Sequence, residues 1–279
     1  GGQAMIKAGV MLLALHLAGA FSFREQGPAA LFPYPTAAWD DTFFAALHNP
    51  SYLPGAPGPL LYSAYSRPYG LDDLHAGTFA LLIPAGQAAA LASWHRFGIP
   101  EYTEETFRMD AGVRACPWFA FGAGASLHRL SINAGGIDDD YSFSEWRASA
   151  LVTPVDGISF SFLQENLVAL ASDRESTLRY PSWSAGITFS PARGIFLSWN
   201  YNRELEGHIN TASLTAHLFR FLSVRAGYSR ETSSMAAAMN VLCGNVGASY
   251  ALRYHRYLGC THTVAATLSM EALSFAPAR

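Results

Sequence analysis

The chain has 279 residues, half of them hydrophobic and only 14% charged, with a formal net charge of -3. No basic cluster offers the density of cations that phosphate binding needs, which excludes nucleic acid as a partner. Lys7 is the only lysine, so Schiff-base and phosphate-loop chemistry is excluded downstream of it, and the three cysteines, Cys116, Cys243 and Cys260, lie too far apart for a zinc pattern or a disulfide framework.

The first twenty residues read as a leader. Met5 is taken as the start, with Gly1 to Ala4 upstream of it. Lys7 supplies a positive n-region, Ala8 to Leu17 a short apolar core, and Ala18-Gly19-Ala20 a small-x-small cleavage site. Cleavage is expected after Ala20, and the exported product is expected in the bacterial outer membrane. No later run stays apolar for the roughly 18 residues that a membrane helix needs.

Residues 21–59 are rich in Pro and Gly and lack two-residue alternation. Within them, Asp40 to Leu47 predicts a short helix led by Asp40 and Asp41. Residues 60–279 read as a barrel. From Leu74 to Ile83, His75, Gly77, Phe79, Leu81 and Ile83 share one face. From Thr106 to Ala115, Phe107, Met109, Ala111 and Val113 oppose Arg108, Asp110, Gly112 and Arg114. The same separation recurs over Ser182 to Ser190, Ile195 to Glu204, Leu222 to Arg230 and Thr261 to Met270. A wall between lipid and water requires this pattern.

Short turns at Pro84-Gly86, Cys116-Pro117, Pro154-Gly157, Pro191-Gly194, Arg220 and Gly244-Asn245 alternate with longer connections. The longer ones include Gly98 to Thr103, Asn133 to Tyr141 and Val168 to Tyr180. Tight turns on one side and longer loops on the other are expected of an outer-membrane barrel. The count predicts an all-β fold: a transmembrane antiparallel barrel of about 14 strands with a polar interior and a short N-terminal plug segment.

Two stretches carry a family resemblance. The first holds Asp40-Asp41, Asn49-Pro50-Ser51-Tyr52-Leu53, Tyr69-Gly70-Leu71 and Glu101-Tyr102-Thr103-Glu104. The second holds Arg225-Ala226-Gly227-Tyr228, Ser249-Tyr250-Ala251 and Leu258-Gly259-Cys260-Thr261-His262. Together they resemble the PorV/PorQ-like outer-membrane proteins, related to the FadL-type transporters. The resemblance implies a plug built on Asp40, Asp41, Asn49, Pro50 and Ser51. It also implies passage of small hydrophobic molecules across the outer membrane, or service as a barrel partner to a type IX-like secretion apparatus. Ser51 stands where the family motif has Ala, and Ser249 where it has Asp.

Arg108, Asp110, Arg114, Glu145, Arg147, Asn200, Asn202, Glu204, Arg225 and Arg253 have the parity that faces the lumen. They are candidates for lining a solute path; the alternative is that they pair across a filled interior. Asp138-Asp139-Asp140 reads as a solvated acidic loop rather than a calcium site. Ser126 and His128 have the i, i+2 spacing of a hydrolase pair, but their parity points inward with Gly122 and Gly124, away from lipid. A structural barrel with a blocked lumen is the remaining alternative. No cofactor, metal site or enzymatic activity is expected, and the partners expected are outer-membrane lipid, hydrophobic small molecules and secretion-system proteins.

Overall fold

The computed structural model describes residues 43–134, 137–167, 170–171, 182–204 and 207–270. The leader, Asp40 and Asp41 lie outside them. Helix α1 (Phe43–His48) and a 3-10 turn (Pro50–Gly55) precede the strands. The strands are β1 (Leu60–Arg67), β2 (His75–Ala85), β3 (Ala88–Ile99), β4 (Tyr102–Cys116), β5 (Phe119–Ala134), β6 (Ile137–Val155) and β7 (Ile158–Glu165). They continue as β8 (Ser182–Ala192), β9 (Ile195–Glu204), β10 (Gly207–Phe219), β11 (Leu222–Ser229), β12 (Ser234–Cys243), β13 (Val246–His255) and β14 (Gly259–Ser269). A two-residue piece, Leu170–Ala171, pairs with β6 as β7 does and continues β7 along the same neighbour.

Every strand pairs antiparallel with its sequence neighbours, and β1 closes on β14 from Leu60↔Ser269 to Arg67↔His262. The described residues thus form a closed barrel of 14 strands, which leaves no open sheet edge. Six turns at the end where β1 begins are two residues long, and in four of them Gly86, Gly157, Gly194 and Gly244 supply a positive φ that favours a tight hairpin.

Alternation sets the two faces. Phe79, Phe107, Met109, Trp146, Leu197 and Val264 stand exposed on the outside, while Thr78, Arg108, Asp110, Glu145, Asn200 and Thr263 are buried inside. Along the strands, outward-facing charges such as Arg67, Arg96, Glu105, Arg129 and Arg203 gather at the end away from the two-residue turns. Between them and those turns the described outward positions form an uncharged belt, the surface that hydrocarbon tolerates.

Two expectations need correction. The connection expected over Gly98 to Thr103 contracts to Pro100-Glu101, because β3 and β4 pair up to Ile99↔Tyr102. Most of Asn133 to Tyr141 is strand as well, with β5 and β6 paired out to Ala134↔Ile137. Asp140 belongs to that hairpin and accepts an ion-paired hydrogen bond from Arg129 at 2.8 Å. Beyond the apolar belt a strand has no lipid face, so its polar residues read as loop. The connection over Val168 to Tyr180 lies almost wholly outside the described residues.

Candidate functional site

The segment from α1 to the 3-10 turn lies in the lumen. Phe44, Leu47 and Leu53 pack with Tyr62 of β1, Ala80 and Leu82 of β2, and Ala89 and Leu91 of β3. Phe44 meets the Tyr62 ring edge-on at 6.2 Å. The interior is therefore not polar throughout: β1–β3 present an apolar inner face where this segment docks. Burying each large side chain here contributes about 1.5–3 kcal/mol.

Asn49 joins the two helical pieces. It is extended, and its Oδ1 accepts from the Ser51 backbone N–H at 3.0 Å and the Ser51 hydroxyl at 2.7 Å. The same N–H also donates to Ser149 Oγ on β6 at 2.9 Å. Pro50 rests on bare backbone. Gly112 of β4 and Gly122 of β5 are cross-strand partners. A Cβ at Gly112 would stand 2.3 Å from the Pro50 carbonyl oxygen, and one at Gly122 would stand 2.4 Å from its carbonyl carbon. Only glycine permits so close an approach.

Two arginines hold the carbonyls that end α1. Arg108 Nη1 donates to Leu47 O at 3.3 Å, and Arg147 Nη1 to His48 O at 3.0 Å. A helix C-terminus leaves such carbonyls unpaired and carries partial negative charge, which guanidinium groups complement. Arg147 is itself fixed. Its Nε donates to Asp110 Oδ1 at 2.8 Å, its Nη2 pairs with Asp110 Oδ2, and Glu165 Oε1 lies 3.9 Å from Nη1. Asp110 reaches Arg147 by crossing Gly124, where a Cβ would collide with its carboxylate. Burial and the nearby guanidiniums of Arg108, Arg147 and Arg225 hold the His48 imidazole well below its usual value, so it is neutral in the seated segment.

Beside this network, His128 accepts or donates at 2.9 Å to Thr106 Oγ1 through Nδ1. It faces Glu145 across 3.3 Å through Nε2 and stacks on Phe143 at 4.6 Å. The imidazole is thus engaged by Thr106 and Glu145, not by Ser126 as a hydrolase pair would require.

Arg108, Asp110, Glu145 and Arg147 therefore converge on one wall, with Asn49, Pro50 and Ser51 against them. Arg114 sits further toward the two-residue turns, exposed, with its guanidinium beside Gly55. Asn200 and Asn202 on β9, Arg225 on β11 and Arg253 on β13 face inward on other strands. Arg225 donates from Nε to Thr215 Oγ1 at 3.1 Å. Glu204 ends β9, and its side chain lies outside the described residues. Ser149 and Glu165 carry no mark in the sequence, and Gly112 and Gly122 show there only their inward parity. The spacing of Gly122 and Gly124 on one face of a strand was the available signal.

No described protein family and no curated protein matches the sequence. Solved structures do match the fold. The monoaromatic hydrocarbon channel CymD aligns with a TM-score of 0.66 at 11% identity, over 87% of this chain and 97% of its own. The Pseudomonas putida toluene transporter TodX aligns with 0.60 at 11% identity, over 87% and 96%. A Pseudomonas aeruginosa FadL homologue aligns with 0.57 at 11% identity, over 91% and 98%.

Proposed function

We propose that the protein is an outer-membrane channel that passes small hydrophobic solutes, closed here by a plug comprising α1 and the 3-10 turn. The carrying observation is the plug on its glycine seat. It is a separate piece of chain lodged in the lumen and fastened by hydrogen bonds to Arg108, Arg147 and Ser149, contacts that can break and reform without disturbing the wall. The uncharged outer belt supports placement in a bilayer, with the two-residue turns toward the periplasm. The fold shared with CymD and TodX supports the solute class. Residues 1–20 then act as a cleaved leader and residues 21–59 as the plug segment, with the inward polar residues Arg108 to Arg253 along the route.

The test is uptake into proteoliposomes of labelled toluene, a long-chain fatty acid and a small sugar, with and without residues 40–53. Hydrophobic-solute flux that rises on deletion, with sugar flux staying low, is the expected result. Absence of all flux in a folded barrel overturns the channel reading. It would favour the PorV/PorQ-like alternative of a secretion-apparatus partner, whose support is the motifs around Asn49 and Arg225, or a structural barrel.

A further inference from the structure

The outward wall of the barrel carries a groove that none of the described residues fills. Ala226 on β11 and Ala237 on β12 are cross-strand partners, and Leu214 on β10 and Leu252 on β13 flank them in the same row. All four side chains face outward and are exposed. Two small side chains between two large ones leave a groove of about 480 Å³, bounded toward the two-residue turns by Met239 and Tyr250. It lies within the uncharged belt, where hydrocarbon and not water stands against the wall.

Its depth assigns it to one leaflet. Arg230 follows the end of β11 and Arg256 the end of β13, four residues beyond Ala226 and Leu252, at the end away from the two-residue turns. At about 3.3 Å per residue and a strand tilt of about 35–45°, that is roughly 10 Å along the membrane normal. One leaflet of hydrocarbon is about 15 Å deep, half of the bilayer core. The groove therefore belongs to the outer leaflet, and the two arginines to its headgroup level. Tyr228 and Tyr254 stand exposed between them, at the height of an interfacial aromatic girdle.

The two arginines set the sign of the headgroup. Both are exposed. Arg230 makes no side-chain hydrogen bond or ion pair among the described residues, and the neighbouring Glu231 carboxylate is taken by the backbone N–H and side-chain amide of Asn210, each at 2.8 Å. The guanidinium of Arg256 lies 5.5 Å from the centre of the Tyr257 ring and meets no carboxylate among the described residues. Other outward arginines of this rim have an acid: Arg67 pairs with Asp72, Arg129 with Asp140, and Arg96 stands opposite Glu105. With β12 between them, β11 and β13 run about 10 Å apart, a gap that two long side chains can close on one phosphate. Guanidinium groups suit phosphate oxygens in charge and in shape.

We propose that this face binds an anionic, phosphate-bearing lipid of the outer leaflet, with its phosphate between Arg230 and Arg256 and an acyl chain in the groove over Ala226 and Ala237. The inference rests on the bilayer placement in the channel reading and is independent of the solute.

The full chain, stripped of lipid in detergent, is titrated with phosphatidylglycerol and with phosphatidylcholine of identical acyl chains. Retained lipid is counted by native mass spectrometry, which also reports the oligomeric state. The expected result is one retained phosphatidylglycerol per chain, held on the order of tenfold more tightly than phosphatidylcholine. Arg230→Gln or Arg256→Gln should each weaken phosphatidylglycerol about fivefold, and the pair together should remove the preference. Arg129→Gln, at an arginine already paired with Asp140, should leave the preference unchanged. Ala226→Phe fills the groove and should weaken both lipids alike while keeping their ratio. All these positions are exposed, and heat-modifiable gel migration checks that each variant is folded. Equal retention of the two lipids by the parent overturns the proposal, as does an Arg129→Gln effect equal to that of Arg230→Gln. Unchanged retention in Ala226→Phe, or a dimer that excludes lipid, overturns it as well. Absence of solute flux in proteoliposomes with this lipid ranking intact overturns the channel reading and leaves the lipid site standing.

Discussion

Replacing both Gly112 and Gly122 with Ala should unseat the plug while sparing the barrel. Each new Cβ would stand within 2.5 Å of Pro50 backbone atoms, and at Gly112 also 3.0 Å from Pro54. Backbone cannot swing aside as a long side chain does. The strands are pinned by ladders on both sides, so the plug is the part that yields. Overpacking costs about 1–3 kcal/mol per site. The two sites share Pro50 and will not add cleanly, so about 2 kcal/mol, the middle of the single-site range, is the expected total. That corresponds to roughly a thirtyfold rise in the unseated population. Ser51 is buried in the seated plug, which makes it a reporter. A Ser51→Cys variant, with Cys116, Cys243 and Cys260 changed to Ser, should react slowly with a maleimide in liposomes. Adding the two Gly→Ala changes should raise the rate about thirtyfold, while the outward Ala123→Ser control leaves it unchanged. Equal rates in barrels that keep heat-modifiable gel migration would refute the seat.

Other expectations follow from the wall and the ion network. Asp110→Asn leaves buried Arg147 with only the more distant Glu165 to balance its charge and should cost about 3 kcal/mol in denaturant unfolding, whereas pairing Asp110→Leu with Arg147→Met should recover most of it. Leu197→Arg places a charge inside the apolar belt and should cost about 2–4 kcal/mol of barrel stability in liposomes. Tyr201→Arg, nearer the charged rim on the same strand, should cost about 0–1 kcal/mol; equal costs would place the belt wrongly. His48 binds its proton less tightly when the plug is seated than when it is free, so seating is favoured above the ordinary imidazole value of 6.5 and weakens as pH falls below it. Maleimide labelling at Ser51→Cys, divided at each pH by the rate of an exposed reference cysteine to cancel the falling thiolate fraction, should therefore rise between pH 7 and pH 5, and the rise should vanish in His48→Gln.

The membrane-facing part of this fold was readable because lipid imposes a strict two-residue alternation. Thr106 to Ala115 and Ile195 to Glu204 separate cleanly, and the parity of Arg108, Asp110, Glu145 and Arg147 followed from it. Where lipid pressure stops, so does the signal: Asn133 to Tyr141 is rich in polar residues and reads as loop, yet its described residues are paired strand. β3 was poorly marked for a different reason. Its inward positions Ala89 and Leu91 pack against the plug instead of water, so both faces are apolar and the alternation disappears. The seat was illegible because it depends on register: nothing in the chain reveals that Gly112 and Gly122 are partners, or that Pro50 arrives above both.

The placement of the lock bears on how the molecule assembles. The polar and glycine contacts to Pro50, Ser51 and the end of α1 come from β4, β5 and β6, whereas the sheet closes at β1 and β14. The closing pair Leu60↔Ser269 joins opposite ends of the barrel sequence, the slowest kind of contact to form because loop-closure entropy must be met first. The three lock strands are successive hairpins. They can receive the plug while the sheet is still open, so that the last strand to arrive finds the lumen already furnished and has only its own ladder to complete.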